Sequence, residues 1–326
     1  MTNRWFNAGV FVFWVAAMSW LLTQKVLPPL MTGEPPDYNV AVVVDETKPQ
    51  PLPVCWRLEW NGQRIGTAAS QPYATPDGLE LRNVVRFQRL PLKDLLGQLL
   101  GPMAPLLNLS LSSDDYTPTL HVATRMELDD DRQLERFRTV VDMPDLPRFI
   151  DLNGRMRSPG KLLLIATARV GGAGIDGDPP PQVRHRHEID LPPDALVGDS
   201  LSPRAELRNL HVGQQWTIPV YRPFPPNSPV QILLARVEKS EFIEHGGELI
   251  ETLVVTYHDE AGSGIGTART PIGRTWVQPD GTVLRQQVQI SNLKLTFHRL
   301  SPGESTEAEG WLKDEAFEQH FVGLDD

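Results

Sequence analysis

Cysteine is almost missing from this chain, because Cys55 is the single cysteine among 326 residues. One thiol excludes an intrachain disulfide framework, so an exported domain of this sequence would rest on its hydrophobic core alone. Cys55 also lies far beyond the N-terminal apolar run, which excludes a lipid-modified cysteine directly after that run. Its position beside Trp56, at the start of a predicted strand, favours a small buried residue over a nucleophile.

Basic residues are in deficit, with 31 Lys and Arg against 41 Asp and Glu and a net charge of −10. Proteins bind nucleic acids mainly by neutralising phosphates, so an acidic body is a poor nucleic-acid binder. The same charge argues against a body that lies flat on an anionic membrane. The sequence therefore predicts no nucleic-acid partner.

Motifs for catalysis, metals and cofactors are also scarce. His185 and His187 share one face of a predicted strand, but a metal site needs three or four ligands and no third is close. Gly262, Gly264 and Gly266 lack the strand and helix that let such glycines cradle a phosphate. No Gly-x-Ser-x-Gly motif occurs. We therefore predict no catalytic residues, no metal site and no cofactor.

The longest apolar run lies at the N-terminus, over residues 5–22. A helix of about 18 residues, rising about 1.5 Å per residue, nearly matches the ~30 Å hydrocarbon core of a bilayer. Trp5, Trp14 and Trp20 suit its interfaces, and Arg4 before the run favours an inside N-terminus. The run predicts a single-pass anchor in the cell membrane with the large domain extracytoplasmic, in the periplasm. A cleaved signal peptide and a buried core helix are the alternatives.

Composition divides the chain into four parts. These are an N-terminal membrane anchor (1–27), a proline-rich semi-rigid linker (28–53), an antiparallel β domain (54–300) and an acidic tail (301–326). A glycine-rich loop at 171–181 marks the point where the β domain would divide, although strands of like character flank it and favour one unit. Within the tail, residues 314–321 are compatible with a short helix or with disorder.

Alternating apolar and polar residues, with turn signals about every 10 residues, predict an all-β domain. The strongest hairpin signal is Asn61-Gly62 between two alternating runs, and Gly246-Gly247 marks another turn. Residues 283–297 read as one final strand. The alternation predicts an antiparallel meander, either an up-and-down barrel or a sandwich, with Trp216 and Trp276 as buried anchors.

One segment, residues 92–111, departs from the strand pattern. Its leucines recur every three or four residues, which predicts an amphipathic helix that ends at Gly101-Pro102. We interpret this helix as a cover for one face of the sheet, with a lid over an apolar cavity and a membrane-surface helix as alternatives. The candidate ligand-binding residues are Leu92, Leu95, Leu96, Leu99, Leu100 and Met103.

Two strings in the C-terminal half are similar to a known kind of protein. They are Trp276-Val-Gln-Pro-Asp-Gly281-Thr-Val-Leu-Arg285 and Asn209-Leu-His-Val-Gly213-Gln-Gln-Trp216-Thr-Ile-Pro219-Val. Both resemble uncharacterised bacterial envelope proteins of the DUF3108 kind, related in form to the lipoprotein-carrier (LolA-like) fold, over roughly residues 183–299. The resemblance implies a curved antiparallel sheet, a half-open barrel wrapped around a helix, with acyl chains held in an apolar concavity and no catalytic residues. Those carriers are usually soluble, so the N-terminal run speaks against a shuttle role.

Together these features predict a membrane-anchored, extracytoplasmic, non-catalytic β-domain that binds a lipid or other hydrophobic ligand in the concave face of its sheet. The alternative is a structural scaffold or docking module of a cell-envelope protein complex. A hydrolase or peptide-modifying enzyme is a third hypothesis. It requires a cluster of polar side chains in a cleft, which the sequence does not show.

Overall fold

A computed structural model of the chain describes residues 4–21, 35–36, 51–76, 78–88, 119–143, 146–169, 182–192, 195–197, 203–223, 229–259, 270–290 and 293–322. The leucine-rich segment 92–111, the glycine-containing segments 171–181 and 262–266, and most of the predicted linker lie outside these residues. The described part consists of one N-terminal helix, a β-sheet and a short helical segment at the C-terminus.

Fifteen strands in the described residues belong to one sheet. The strands are β1 (Val54–Trp60), β2 (Gln63–Thr75), β3 (Gly78–Phe87), β4 (Leu120–Leu128), β5 (Leu134–Met143), β6 (Leu146–Ser158), β7 (Lys161–Arg169), β8 (Gln182–Asp190), β9 (Leu196–Val197), β10 (Gln215–Tyr221), β11 (Gln231–His245), β12 (Glu248–Asp259), β13 (Gly273–Val277), β14 (Val283–Ile290) and β15 (Leu293–Arg299). All neighbours are antiparallel except β9 and β10. The predicted all-β class and curved antiparallel meander are confirmed, as one open sheet rather than the two facing sheets of a sandwich.

The sheet consists of two meanders joined at the first and last strands. Its order runs from β8 back to β1, and then from β15 back to β9. At the junction Leu58 lies opposite Phe297, and Trp60 lies opposite Leu295. The two halves therefore form one continuous layer.

Hairpin turns account for much of this order. Asn61 has a φ of 49° and Gly62 a φ of 84°, so both central residues of the β1–β2 turn adopt the left-handed conformation of a type I′ turn. Gly246 and Gly247 do the same between β11 and β12, with φ values of 61° and 85°. Both predicted hairpins are confirmed.

The prediction of a single strand over 283–297 is wrong. The chain forms two strands there, β14 and β15, which pair with each other so that Arg285 faces His298 and Val288 faces Leu295. The chain therefore reverses between them. Neither residue between the strands is a glycine or a proline, so the sequence carried no strong turn signal at this point.

The main hydrophobic core covers one face of the sheet, which we call the inner face. Strand alternation places Trp56, Leu152, Trp216, Val255 and Phe297 on this face, and each is fully buried. Residues from β1 to β8 and from β10 to β15 join in one continuous cluster. A single sheet buries one face when it curls or is covered, and this sheet is curved.

The opposite, outer face carries two smaller clusters. Trp276 belongs to one of them, with Ile243, Val254 and Leu284. Both tryptophans predicted as anchors are therefore buried, but Trp216 belongs to the main core and Trp276 does not.

The acidic tail forms the cover of the other outer cluster. It contains α2 (Pro302–Glu309), a 3-10 turn (Gly310–Leu312) and α3 (Asp314–Glu318). Ser301 and Glu304 form a capping box at the start of α2, in which the side chain of each residue accepts a hydrogen bond from the backbone N–H of the other. A helix thus forms within 314–321, one of the two outcomes that the sequence left open.

Aromatic side chains of the tail pack on small residues of the outer face. Trp311, Leu312 and Phe317 contact a patch that includes Ala69 and Ala123, where the absence of larger side chains lets the tail approach closely. This contact buries the outer face of β1 to β5 beneath the tail.

Arginines hold the tail from the sheet side. The Arg82 guanidinium lies 4.1 Å from the Tyr73 ring centroid and 4.9 Å from that of Phe317, and that of Arg125 lies 4.6 Å from the Phe321 centroid. Arg82 also donates to Asp314 at 2.5 Å. Guanidiniums suit a partly buried interface because they can pair with a carboxylate and stack on an aromatic ring at the same time.

The N-terminal apolar run forms the helix α1 (Arg4–Leu21). Its apolar side chains from Val10 onward are exposed, with Phe13 75% and Trp14 57% exposed. Among the described residues, no helix reaches the combination of length and hydropathy needed to cross a membrane. The predicted transmembrane span is therefore not confirmed.

Candidate functional site

The predicted ligand-binding residues lie outside the described part of the chain. This applies to all six positions, Leu92, Leu95, Leu96, Leu99, Leu100 and Met103. The leucine-rich segment therefore remains a prediction, and the candidate site is built from the sheet itself.

The inner face is apolar over most of its width but carries one polar row. Cross-strand pairing aligns Ser70 of β2 with Asn83 of β3, Asn83 with Thr124 of β4, and Thr124 with Thr139 of β5. Directly opposed side chains have Cβ atoms roughly 4.5–5.5 Å apart. These four residues therefore form a continuous line of neutral hydrogen-bonding groups, which we call the polar band.

Apolar rows border the polar band on both sides. One row runs through Ala68, Val85, Val122 and Val141, and the other runs through Pro72, Leu81, Met126 and Phe137. The band thus lies between two hydrophobic surfaces of the same sheet.

Asn83 is the least satisfied member of the band. It is 6% exposed, and among the described residues neither its Nδ2 nor its Oδ1 atom has a hydrogen-bond partner. By contrast, the hydroxyls of Thr124 and Thr139 lie 3.0 Å apart and bond to each other. A buried polar group without a partner costs about 1–3 kcal/mol, so Asn83 is the member of the band that would gain most from a bound hydrogen-bonding group.

No charged side chain belongs to the polar band or to its two bordering rows. The inner-face guanidinium of Arg299 lies on β15, three strands away from Asn83. It donates to the Ala205 carbonyl at 3.0 Å and to the Val283 carbonyl at 3.3 Å, and burial lowers its pKa. Within the described residues, the cross-strand neighbours of the band are therefore uncharged.

An open depression of about 480 Å³ lies on the outer face, over β1, β14 and β15. Here His298 Nε2 lies 3.1 Å from Glu59, and Glu59 also accepts from Arg57 at 3.1 Å. Burial lowers the pKa of His298, while Glu59 opposes that shift. Arg285 and Lys294 add positive charge to the lining. The depression is polar and open, so it does not suit a hydrophobic ligand.

The other candidate residues from the sequence do not assemble into a site. His185 and His187 both lie on the edge strand β8 and are exposed, and the described residues hold no group of three side chains able to bind a metal. Cys55 is 2% exposed beneath the tail, and burial raises its pKa to about 12. The prediction that Cys55 is a small buried residue is confirmed.

Sequence reasoning missed Asn83, although a signal was present. Asparagine is disfavoured in strands, and this one lies two positions from Leu81 and two from Val85 on a face that is otherwise apolar. A polar residue at an apolar position of an alternating strand marks either a structural hydrogen bond or a binding group.

Comparisons with known proteins show no family to which this chain belongs. No family model matches the chain, so the resemblance to DUF3108 and lipoprotein-carrier proteins is not confirmed. No curated protein matches it either. Among solved structures, the chain is similar to a beta-barrel-like protein of domain of unknown function DUF1849 from Brucella abortus, with 10% identity, a TM-score of 0.39, and coverage of 78% of this chain and 98% of that one.

Proposed function

We propose that this protein is a non-catalytic β-domain that binds a lipid or another hydrophobic ligand against the inner face of its sheet. The observation that carries the proposal is the inner face itself, where one apolar cluster extends through both meanders. Apolar walls with a few placed polar groups are typical of sites for small hydrophobic molecules.

We place this domain at a membrane, with α1 as its attachment. The supporting observation is the exposure of large apolar side chains on α1, including Phe11 at 64% and Phe13 at 75%. Such side chains are unfavourable in water and gain free energy on entering a bilayer. The extracytoplasmic location and the absence of a nucleic-acid partner belong to the same proposal and rest on charge and composition.

Ligand binding is tested by native mass spectrometry of the full-length chain, purified gently from membranes in a mild detergent. We expect a reproducible adduct of lipid mass that survives collisional removal of detergent. A chain that carries no adduct, and that takes up none when amphiphiles are added, would refute the proposal.

Membrane attachment is tested with the paired substitution F11D/F13D on α1. Wild-type protein should stay in the membrane pellet at high salt, and the variant should move to the soluble fraction, because each charge strongly disfavours insertion. An F242D variant, with one charge on the distant hairpin of β11 and β12, serves as the control and should stay in the pellet. Equal fractionation of all three would contradict the role given to α1.

A docking module is the second candidate, favoured by the tip of the β11–β12 hairpin. Phe242 is 64% exposed and Leu249 is 74% exposed, and register places both on the same side of the hairpin. β13 pairs with β12 from Leu253 onward, so the tip extends beyond its neighbouring strand. A stable partner in crosslinking pull-downs, lost in an F242S/L249S variant but kept by wild-type protein, would favour this function.

A further inference from the structure

We propose that the polar band selects ligands whose polar group is uncharged and both donates and accepts a hydrogen bond, such as the hydroxyls of an acylglycerol, with Asn83 as the residue that binds it. This inference rests on the proposed function, because it names the class of ligand held on the inner face.

The amide of Asn83 sets the chemistry of the ligand. Its Nδ2 atom needs an acceptor and its Oδ1 atom needs a donor, and neither atom has a partner in the part of the chain that the structure describes. A hydroxyl or an amide on a ligand can satisfy both atoms. An ionised carboxylate only accepts hydrogen bonds, so it would satisfy Nδ2 and leave Oδ1 unpaired.

The neutral surroundings lead to the same class of ligand. An ion taken into an apolar site loses its hydration and needs a nearby opposite charge to replace it. The polar band and its bordering rows contain no charged side chain, and Arg299 is three strands away and bonded to carbonyls. A free fatty-acid anion or a phosphate group would therefore be disfavoured at this place.

The other members of the band explain why Asn83 is the binding group. Thr124 and Thr139 are bonded to each other at 3.0 Å. The fourth member, Ser70, is partly exposed. Of the two bordering rows, the one that contains Pro72, Leu81 and Met126 is partly exposed at these three residues, and it offers apolar surface for the chain of an amphiphile on that side of its polar group. The arrangement matches a molecule with a small neutral polar group and a long apolar chain.

The test compares two probes of equal chain length, 1-monooleoylglycerol and oleate, at pH 8. The full-length chain in detergent is titrated with each probe, and native mass spectrometry measures occupancy. We expect wild-type protein to prefer 1-monooleoylglycerol by at least about tenfold. An N83L variant should lose about tenfold in affinity for it, which is the scale of one or two neutral hydrogen bonds, while its affinity for oleate stays within about twofold.

N153L is the matched control, because Asn153 lies on the outer face of β6 and receives the same substitution. It should behave as wild-type protein. If N83L does not fold, N83V tests the same loss of hydrogen bonding with a side chain suited to strands.

The outcomes separate the two proposals. If wild-type protein binds neither probe, the proposed function fails. If it binds both equally, or if N83L keeps the wild-type preference, the ligand class inferred from Asn83 is wrong while the proposed function stands. The latter outcome would mean that an internal water satisfies Asn83.

Discussion

Removal of the Phe317 ring should detach the C-terminal tail from the sheet. The ring is fully buried, lies 5.2 Å from the Phe321 ring between centroids, and is covered by the guanidiniums of Arg82 and Arg125 at 4.9 Å and 5.4 Å. Truncation of a core phenylalanine to alanine typically costs about 3–5 kcal/mol. Each cation–π contact adds about 0.5–1 kcal/mol at a partly exposed site.

These two contributions do not add fully. When the ring is removed, water enters around Arg82 and Arg125, and hydration replaces part of the lost cation–π attraction. The loss of apolar packing is therefore the dominant effect. We expect F317A to lower the free energy of unfolding by about 3–5 kcal/mol rather than by the full sum of the contributions.

Urea unfolding of the full-length chain in detergent, followed by tryptophan fluorescence, measures this change. F242A is the matched control, since Phe242 is 64% exposed and its truncation should cost less than about 1 kcal/mol. A hydrogen-exchange measurement on F317A should also show loss of amide protection in α2 and α3. If F317A costs no more than F242A, the tail does not stabilise the sheet and the reasoning is refuted.

Three further predictions concern packing, thiol reactivity and pH. A Cβ atom at Gly154 would clash with the Phe137 ring, so G154A should lower the free energy of unfolding in urea by about 1–3 kcal/mol. G303A, which has open space around it, should leave that free energy unchanged. Because burial raises the pKa of Cys55 to about 12, a disulfide reagent at pH 8 should modify it at least about 100-fold more slowly in the folded chain than in urea, and equal rates would contradict its burial. Burial also lowers the pKa of His121, His245 and His298 below the value of about 6.5 for a free histidine, so the folded state favours their neutral form. The stability that these groups contribute is fully present above pH 6.5 and falls as acid protonates them, by at most about 1.4 kcal/mol per group and pH unit. The midpoint of urea unfolding should therefore drop between pH 7.5 and pH 5.5. A constant midpoint would contradict the lowered pKa values.

Sequence patterns predicted strands and turns well where the structure depends only on neighbouring residues in the chain. Asn61-Gly62 has the residue types that a two-residue type I′ turn needs, and the structure has that turn. The same approach merged β14 and β15 into one strand, because the chain reverses there without a glycine or a proline. Turn prediction thus succeeded where the backbone conformation demands a special residue. It failed between β14 and β15, where the sequence has the turn-favouring Ser291 and Asn292 but neither glycine nor proline.

The candidate site was less accessible to sequence reasoning than the strands. Alternation assigns Asn83 to the same face as Leu81 and Val85, so its position on an apolar face could be read from β3 alone. Its lack of a partner could not, because Thr124 is the opposing residue only in the register that the folded sheet adopts. That threonine bonds to Thr139 of the next strand.

The sequence by itself determined which residues form strands, which faces are apolar and where the strongest turns lie, because these depend on neighbours within a few positions. Tertiary structure alone decided that β1 pairs with β15, bringing Glu59 within 3.1 Å of His298, 239 residues later. It also decided that the acidic tail covers part of the outer face and that Asn83 has no hydrogen-bond partner among the described residues. Contacts of this kind depend on strand pairing and register across the whole chain, and periodicity within one segment does not specify them.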